Sequence, residues 1–251
     1  MNRILAALAG VLALVLAQLP AQAAEIAVGS STGIQSALKV LAPRFEKATG
    51  NKLDITFDTA NAIKAQIDGG KSFDVVIMTP GLIDELSKGG KVALGSGVAI
   101  AHAGIGLAVK KGAPRPHIVN AADLKRVLLN AQSIAYTTSG QSGIAFAKLI
   151  DQLGIAGPVK AKGKTIPGGP AAQLIVDGQA EMAVQLVPEL KAVPGVTVVS
   201  FPKELQTYIV LTGGISTTAH DPKAAASLLQ YLTSPKAAPI LKAKGLLPGG
   251  V

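Results

Sequence analysis

Apolar and polar positions follow two different periods along the chain, and the changes between them predict alternating strands and helices. Residues 26–28, 53–57 and 73–78 are short apolar or alternating runs, which are typical of strands. A helix with apolar residues at helical spacing is predicted between the first two, over residues 34–48, and a shorter one passes through Ile63. The order βαβαβα predicts a parallel sheet with helices on both faces.

A long apolar extended segment, residues 98–109, interrupts this rhythm, and a shorter one follows at residues 207–211. One segment leads out and the other leads back, so we expect an α/β protein of two lobes joined by a hinge. Each lobe is predicted to be a mostly parallel sheet flanked by helices. Lobe 1 would comprise residues 24–100 and 205–251, and lobe 2 would comprise residues 101–204.

The elements of the second lobe are predicted with the same periods. In chain order they are a helix near 121–129, a strand over 133–136, a helix over 143–153, a loop with a Lys-rich segment, a helix near 171–176, and strands over 181–185 and 196–199. After the second extended segment, two further helices are predicted near 222–232 and 235–242.

The first residues of the chain have the pattern of an export signal. Arg3 is followed by an apolar run over 4–19, by Pro20 and by a small-residue cleavage motif that ends at Ala23. We therefore expect a signal peptide, residues 1–23, that is cleaved after Ala23 and sends the protein to the periplasm. A membrane anchor is the competing interpretation, but the run is short and ends in proline. The chain contains no cysteine, which excludes disulfides and a lipid-anchored cysteine.

The composition excludes several function classes. The formal net charge is +9, but lysines are spread along the chain and only 3% of residues are aromatic, so we expect no nucleic-acid partner. The three histidines lie far apart and show no metal-ligand spacing, so no metal is expected. No nucleophile elbow or phosphate-binding loop is present, and no cofactor is expected.

Four loops share one design, in which a strand ends, small polar residues or glycines follow, and a helix starts. They are residues 29–33, 58–61, 137–143 and 167–171. Free backbone N–H groups and the positive end of a helix, together with hydroxyl donors, bind an anion without an ionised side chain. Each loop taken alone also fits an ordinary helix cap. Four such loops, two in each proposed lobe, favour an anion site between the lobes.

Five stretches carry a resemblance to a known family. They are LKVLAPRFEKATGNKLDITF (38–57), IKAQIDGGKSFDVVIM (63–78), SGQSGIAFAKLIDQLGI (139–155), GGPAAQLIVDGQAEMAVQ (168–185) and AAASLLQYLTSPKAAPILKAKGL (224–246). The chain resembles the periplasmic solute-binding proteins of ABC importers, in the branch that contains the molybdate-binding protein. The resemblance implies a hinge-closing fold that holds its ligand between two lobes, a membrane permease as partner, and a freely diffusing monomer.

The resemblance implies that hydroxyls and backbone N–H groups hold an oxyanion. Ser30 or Ser31 would serve from the first loop, Thr59 or Ala60 from the second, and Ser142 with Gly143 from the third. With the other loop residues and Gln185, which ends a strand of the second lobe, the candidate ligand-binding set is Ser30, Ser31, Thr32, Asp58, Thr59, Ala60, Asn61, Ser139, Ser142, Gly143, Gly169 and Gln185.

The second loop departs from the family pattern, because Asp58 and Asn61 stand where relatives have glycine. A carboxylate near a dianion is repulsive, so Asp58 either caps the helix or pairs with a donor on the ligand. The ligand is therefore expected to be a molybdate-like oxyanion or an organic carboxylate.

Three functions fit these features. The leading hypothesis is the non-catalytic solute-binding component of an ABC importer. An alternative is an isomerase of a small polycarboxylate such as aconitate, with Asp58 as the base that moves a proton. A sensory module that signals to a membrane receptor is the third.

Overall fold

The structure is a computed structural model that describes residues 23–249. The predicted signal peptide lies outside the described residues except for its last residue, Ala23. Within the described range, no helix is both long enough and apolar enough to cross a bilayer.

Within the described residues, ten strands form the two sheets. They are β1 (Glu25–Ser31), β2 (Lys52–Asp58), β3 (Val75–Met78), β4 (Val98–Lys110), β5 (Ile134–Thr137), β6 (Gly163–Ile166), β7 (Met182–Leu186), β8 (Val196–Ser200), β9 (Tyr208–Ile215) and β10 (Leu246–Pro248).

The same part of the chain, residues 23–249, contains ten α-helices between the strands. They are α1 (Gln35–Thr49), α2 (Ala60–Asp68), α3 (Pro80–Lys88), α4 (Ala121–Asn130), α5 (Gln141–Gln152), α6 (Ala156–Ala161), α7 (Gln173–Val176), α8 (Val187–Lys191), α9 (Pro222–Leu232) and α10 (Ala238–Ala243). Short 3-10 helices at Thr32–Ile34 and Lys203–Leu205 complete the set.

Two sheets share one strand, and the strand order across both is β2-β1-β3-β9-β4-β7-β5-β6. In the first sheet β1 is parallel to β2 and β3, while β9 is antiparallel to β3 and to the first half of β4. In the second sheet β5 is parallel to β6 and β7, while β7 and β8 are antiparallel to the second half of β4.

The β4 strand forms one crossing between the lobes. Its residues up to Gly104 pair with β9, and its residues from Ile105 onward pair with β7. The chain returns between β8 and β9, where the Gln206 side chain accepts a hydrogen bond from Ile105 N at 2.6 Å and donates one to Ile105 O at 3.0 Å. The proposed lobe boundaries, 100/101 and 204/205, lie close to these two crossings.

The apolar faces of the helices bury the expected residues. On α1, Leu38, Leu41 and Phe45 are at most 1% exposed, and each such side chain contributes about 1.5–3 kcal/mol by leaving water. Gly50, with φ of 80°, ends this helix in a left-handed conformation. The buried residues form one core that runs through both lobes and a smaller core on the far face of each sheet.

The predicted α/β fold of two lobes with helix-covered sheets is confirmed. The sheets are more mixed than expected, because the strands that carry the chain between lobes run antiparallel to their neighbours. The Lys-rich segment after residue 155, for which no helix or strand was predicted, forms α6 and β6. The helix expected over 171–176 is only the four-residue α7, because the fourth loop occupies its start.

Candidate functional site

A small cavity lies between the two lobes, at the carboxyl ends of β1, β2, β5 and β7. Its volume is about 20 Å³, which is space for one or two water molecules. Both lobes contribute to its wall. The lining residues are Ser31, Thr32, Thr59, Ala60, Thr137, Gly140, Gln141, Ser142, Gly169, Gln185, Leu186, Glu189 and Ile209. We call this cavity the cleft.

The first loop brings two hydroxyls to the cleft. Ser31 ends β1 and caps the following 3-10 helix, since its Oγ accepts a hydrogen bond from Gly33 N at 3.3 Å. Thr32 Oγ1 donates to Glu189 Oε1 of the other lobe at 2.6 Å. Ser30 is fully buried and its Oγ donates to Ser31 O, so it supports the loop without lining the cleft.

The second loop places the start of α2 at the cleft. Thr59 is the N-cap, and its Oγ1 accepts a hydrogen bond from Ala62 N at 3.2 Å. The Asp58 carboxylate accepts from Thr59 N at 2.7 Å and from Gln66 Nε2 at 3.4 Å, and Asp58 does not line the cleft. Asn61 Nδ2 donates to Ser139 O at 3.3 Å and so joins the two lobes beside the cleft.

The third loop folds around Thr137, the last residue of β5. Thr137 is 2% exposed and lines the cleft, and its Oγ1 has no hydrogen-bond partner among the described residues. Two glycines allow the turn, because a Cβ at Gly140 would lie 2.6 Å from Thr137 Oγ1 and one at Gly143 would lie 1.7 Å from Thr137 O. The wall of the cleft therefore contains a buried hydroxyl whose donor is unused, next to Ser142 in the first turn of α5.

The fourth loop is held by a glutamine amide. Gln185, on β7, is 3% exposed; its Oε1 accepts from Ala171 N and its Nε2 donates to Gly169 O, both at 2.9 Å. Gly169 has a φ of 94°, which favours glycine. Ser139 Oγ and Ser139 N both donate to Pro167 O, so the third and fourth loops are joined into one wall.

Glu189 is the one titratable residue among those that line the cleft within the described chain. It lies on the five-residue α8, which directly follows β7. Burial raises the pKa of the Glu189 carboxyl to about 7, although the Thr32 hydroxyl opposes the rise by hydrogen bonding to the charged form. A carboxyl with this pKa exchanges a proton at neutral pH.

Two helix starts direct positive potential toward the cleft. The nine-residue α2 and the twelve-residue α5 begin at opposite lobes, and their first residues are part of the lining. The first N–H groups of a helix have no partner within the helix, and each start carries about half a positive charge. Among residues 23–249, no lysine or arginine lines the cleft.

A larger groove of about 640 Å³ adjoins the cleft and shares Thr32, Gly169, Gln185 and Glu189 with it. Lys39, Lys191 and Lys244 also line this groove. The lysines give the approach to the cleft a positive potential, which attracts anions to its mouth. No cluster of three or more metal-ligating side chains occurs within residues 23–249.

The structure brings seven of the twelve sequence-predicted site residues to the cleft. They are Ser31, Thr32, Thr59, Ala60, Ser142, Gly169 and Gln185. The other five do not line the cleft. Ser30, Asp58 and Gly143 support its loops, and Asn61 and Ser139 join the two lobes beside it.

Sequence reasoning missed Thr137 and Glu189 as site residues. Thr137 lies within a loop that was recognised but was not singled out. The signal for Glu189 is a proline followed by an acid directly after a strand, Pro188 then Glu189, which is typical of a helix start. That pattern predicts the turn but not its position between the lobes.

Comparison with known proteins finds relatives that match this chain over nearly its whole length and nearly the whole of theirs. The chain is 36% identical to aconitate isomerase from Pseudomonas sp over 94% of both chains. It is 30% identical to the molybdate-binding protein ModA of Azotobacter vinelandii over 90% of both chains. The structure of the Azotobacter vinelandii periplasmic molybdate-binding protein superposes with a TM-score of 0.76 at 20% identity, covering 88% of this chain and 98% of that one.

The model of a protein family described as bacterial extracellular solute-binding protein matches residues 26–247, which is nearly the whole described chain. The predicted family is thereby confirmed. The chain belongs to the bacterial extracellular solute-binding proteins.

Proposed function

We propose that the protein captures a small anion between its lobes and delivers it to the permease of an ABC importer. The observation that carries the proposal is the cleft itself, which both lobes line with hydroxyls and helix starts, and with no lysine or arginine from the described part of the chain. Such a site balances the negative charge of a ligand with helix dipoles and with neutral hydrogen-bond donors. The relatives named for molybdate binding support an oxyanion or a similarly sized anionic group.

Capture requires motion of the lobes. The cleft volume of about 20 Å³ holds no more than one or two waters, so an anion enters only when the lobes part. The two chain crossings, at Ile105 and near Gln206, are where such bending would take place. The Thr32–Glu189 and Asn61–Ser139 hydrogen bonds join the lobes when the cleft is closed.

Export to the periplasm, with cleavage after Ala23, is part of the same proposal. The membership of the extracellular solute-binding family supports it. N-terminal sequencing of the exported protein tests it, because a start at a residue other than Ala24 would place the cleavage elsewhere.

Calorimetric titration with molybdate, tungstate, sulfate, phosphate and small di- and tricarboxylates tests the proposed capture. Thr137→Val should weaken binding about tenfold to a hundredfold, because it removes a free donor to a charged ligand, worth about 1.5–3 kcal/mol. The matched control is Thr138→Val, since the Thr138 side chain is exposed and does not line the cleft. Equal affinity for both variants would contradict the site, and no binding of any anion would contradict the function.

An isomerase is the second candidate, and two observations favour it. The relative named aconitate isomerase is 36% identical, and Glu189 places a carboxyl in the cleft that exchanges protons at neutral pH. Such a group can take a proton from one carbon of a polycarboxylate and return it to another, so the reaction needs no other reactant. In this proposal Glu189 has the role that the sequence suggested for Asp58, whose carboxylate is held by Thr59 N and Gln66.

Incubation with cis- and trans-aconitate, followed by NMR, tests this second function. We expect Glu189→Gln to abolish any interconversion and Asp58→Asn to retain most of it. The reverse result would assign the base to Asp58. Unchanged isomers with the unmodified protein would leave capture alone as the function.

A further inference from the structure

We propose that the cleft binds a dianion together with one proton, which Glu189 holds against the ligand. The inference rests on the proposed anion capture and adds the charge state in which the ligand and Glu189 are held together. It assigns Glu189 as a specificity-determining residue, one that distinguishes anions by whether they bring a proton with them.

The position of Glu189 in the cleft is the first argument. Its carboxyl is part of the wall, between the Thr32 hydroxyl of the first lobe and the Gln185 amide of its own lobe. The other polar groups that line the cleft are hydroxyls, amides and backbone groups. An anion in the cleft therefore meets many donors and a single group that is able to carry a negative charge.

The charged groups around Glu189 do not neutralise it. The elements packed against α8 are α1, β4, β7, β8 and the first 3-10 helix, and β7, β8 and that 3-10 helix contain no titratable residue. On α1, α8 and the turn after α10, the lysines at 39, 191 and 244 line the adjacent groove, and none forms an ion pair with Glu189 within the described chain. The remaining titratable residues of α1 and β4 line neither the groove nor the cleft, and they are Arg44, Glu46, Lys47, His102 and Lys110.

Beside a bound dianion, Glu189 is either ionised or protonated, and the loss of affinity that each state causes decides which one the site adopts. Two like charges about 4 Å apart, at an effective dielectric constant of about 20, repel enough to lower affinity about a thousandfold. Because burial brings the pKa of Glu189 to about 7, keeping the carboxyl protonated at neutral pH lowers affinity only about twofold. Protonation is therefore the favoured route, and the protonated carboxyl becomes a further donor.

Anions then fall into two classes. Molybdate and sulfate carry no proton near neutral pH, so their binding must take one from the solvent. Hydrogen phosphate brings its own proton and can share it with an ionised Glu189. Above pH 8 the affinity for molybdate and sulfate should therefore fall more than the affinity for phosphate.

Calorimetry on the purified exported protein tests the proposal with molybdate, sulfate and phosphate as probes. Titrations between pH 6 and 9, in buffers that differ in heat of ionisation, count the protons taken up. We expect the affinity for molybdate and sulfate to fall about tenfold per pH unit above roughly pH 8, with uptake approaching one proton per ligand. Phosphate should show a smaller uptake.

Glu189→Gln resembles the protonated carboxyl in shape, so we expect it to bind molybdate with little dependence on pH. Glu204→Gln removes an exposed carboxylate away from the cleft and should retain the pH dependence of the unmodified protein. Affinity of the unmodified protein that stays constant from pH 6 to 9, without proton uptake, would overturn the proposal while leaving anion capture intact. Absence of binding at every pH would overturn both. Because the proton count uses the unmodified protein, the test does not depend on the variants folding.

Discussion

Gly143 stands where the first turn of α5 passes closest to the end of β5. A Cβ there would lie 1.7 Å from Thr137 O, a backbone atom that cannot rotate away. The glycine was expected to hold the ligand by its N–H group, and the structure adds a packing reason for it. The position of Ser142 and the buried Thr137 hydroxyl depends on this close approach.

Gly143→Ala should lower the free energy of unfolding by about 1–3 kcal/mol, because the added Cβ overpacks against backbone atoms that cannot move aside. The change should also weaken anion binding. The matched control is Gly81→Ala in the first turn of α3, where an added Cβ meets nothing within 4 Å. That change should be neutral or stabilising by up to about 1 kcal/mol. Urea unfolding of both variants measures the difference, and equal stabilities would contradict the contact.

Single residues also show where sequence reasoning reached its limit. The hydroxyls at Ser31, Thr59 and Ser142 were identified because each lies in a short polar loop between a strand and a helix. Glu189 was not, because it follows the apolar stretch at the end of β7 without a polar loop between them. Its importance comes from a neighbour distant in sequence, Thr32, which only the folded chain brings within 2.6 Å.

At the scale of elements, Asp74 joins three parts of the first lobe just before β3. Its carboxylate accepts hydrogen bonds from Ala27 N on β1 and from His220 N in the turn before α9, both at 2.7 Å. Its backbone carbonyl accepts from Ser216 N after β9. Burial would raise the pKa of Asp74, but these hydrogen bonds together with the His220 ring outweigh burial and hold the pKa below its ordinary value.

A lowered pKa in the folded state means that the unfolded chain binds the proton first as the pH falls. The stabilisation by Asp74 is therefore complete above about pH 5 and is lost as the pH falls through the unfolded value of about 3.9 and below. Asp74→Asn should cost about 1–3 kcal/mol at neutral pH, since one N–H loses its acceptor, and should flatten the loss of stability below pH 5. The control is the exposed Asp84→Asn. Parallel curves of unfolding free energy from pH 3 to 7 would contradict this role.

Long periodic elements and the short buried strands β5 and β7 were predicted within a few residues, whereas α6 and β6 were not predicted. Helix α1 and strand β4 bury continuous apolar faces, so their periods are visible in the sequence. By contrast, α6 contains Gly157 and Pro158, and the lysine of β6 lies on a partly exposed edge strand. Their stability comes from pairing with β5 and packing against α5 rather than from local preference.

At the scale of the whole molecule, the proposed capture requires the lobes to move apart and together. A Cβ at Gly168, in the second lobe, would lie 3.2 Å from Thr59 Cγ2 in the first. No other Thr59 atom lies within 4 Å of that Cβ. Thr59 Cβ is one bond from Cγ2, so the two Cβ atoms are near the upper end of the about 3.5–4.5 Å that disulfides need, and cysteines at these two positions should bridge the closed cleft. The natural chain has no cysteine that would compete.

The double variant Thr59→Cys, Gly168→Cys should bind anions far more slowly when oxidised than when reduced. The comparison uses one protein in two redox states, so the loss of the Thr59 hydroxyl cancels. Stopped-flow binding rates measure the difference, and the single variants are controls that should not respond to reductant. Equal rates in both redox states would show that ligand entry does not require the lobes to part.

The shared strand also has a consequence for the order in which the molecule assembles. The second sheet uses only residues from the middle of the chain, whereas β9 must insert between β3 and β4 to complete the first. Contacts between residues far apart in sequence form slowly. A newly made chain should therefore fold its middle first, and remain a target for proteases along the open edge of β3 until its last strands pair.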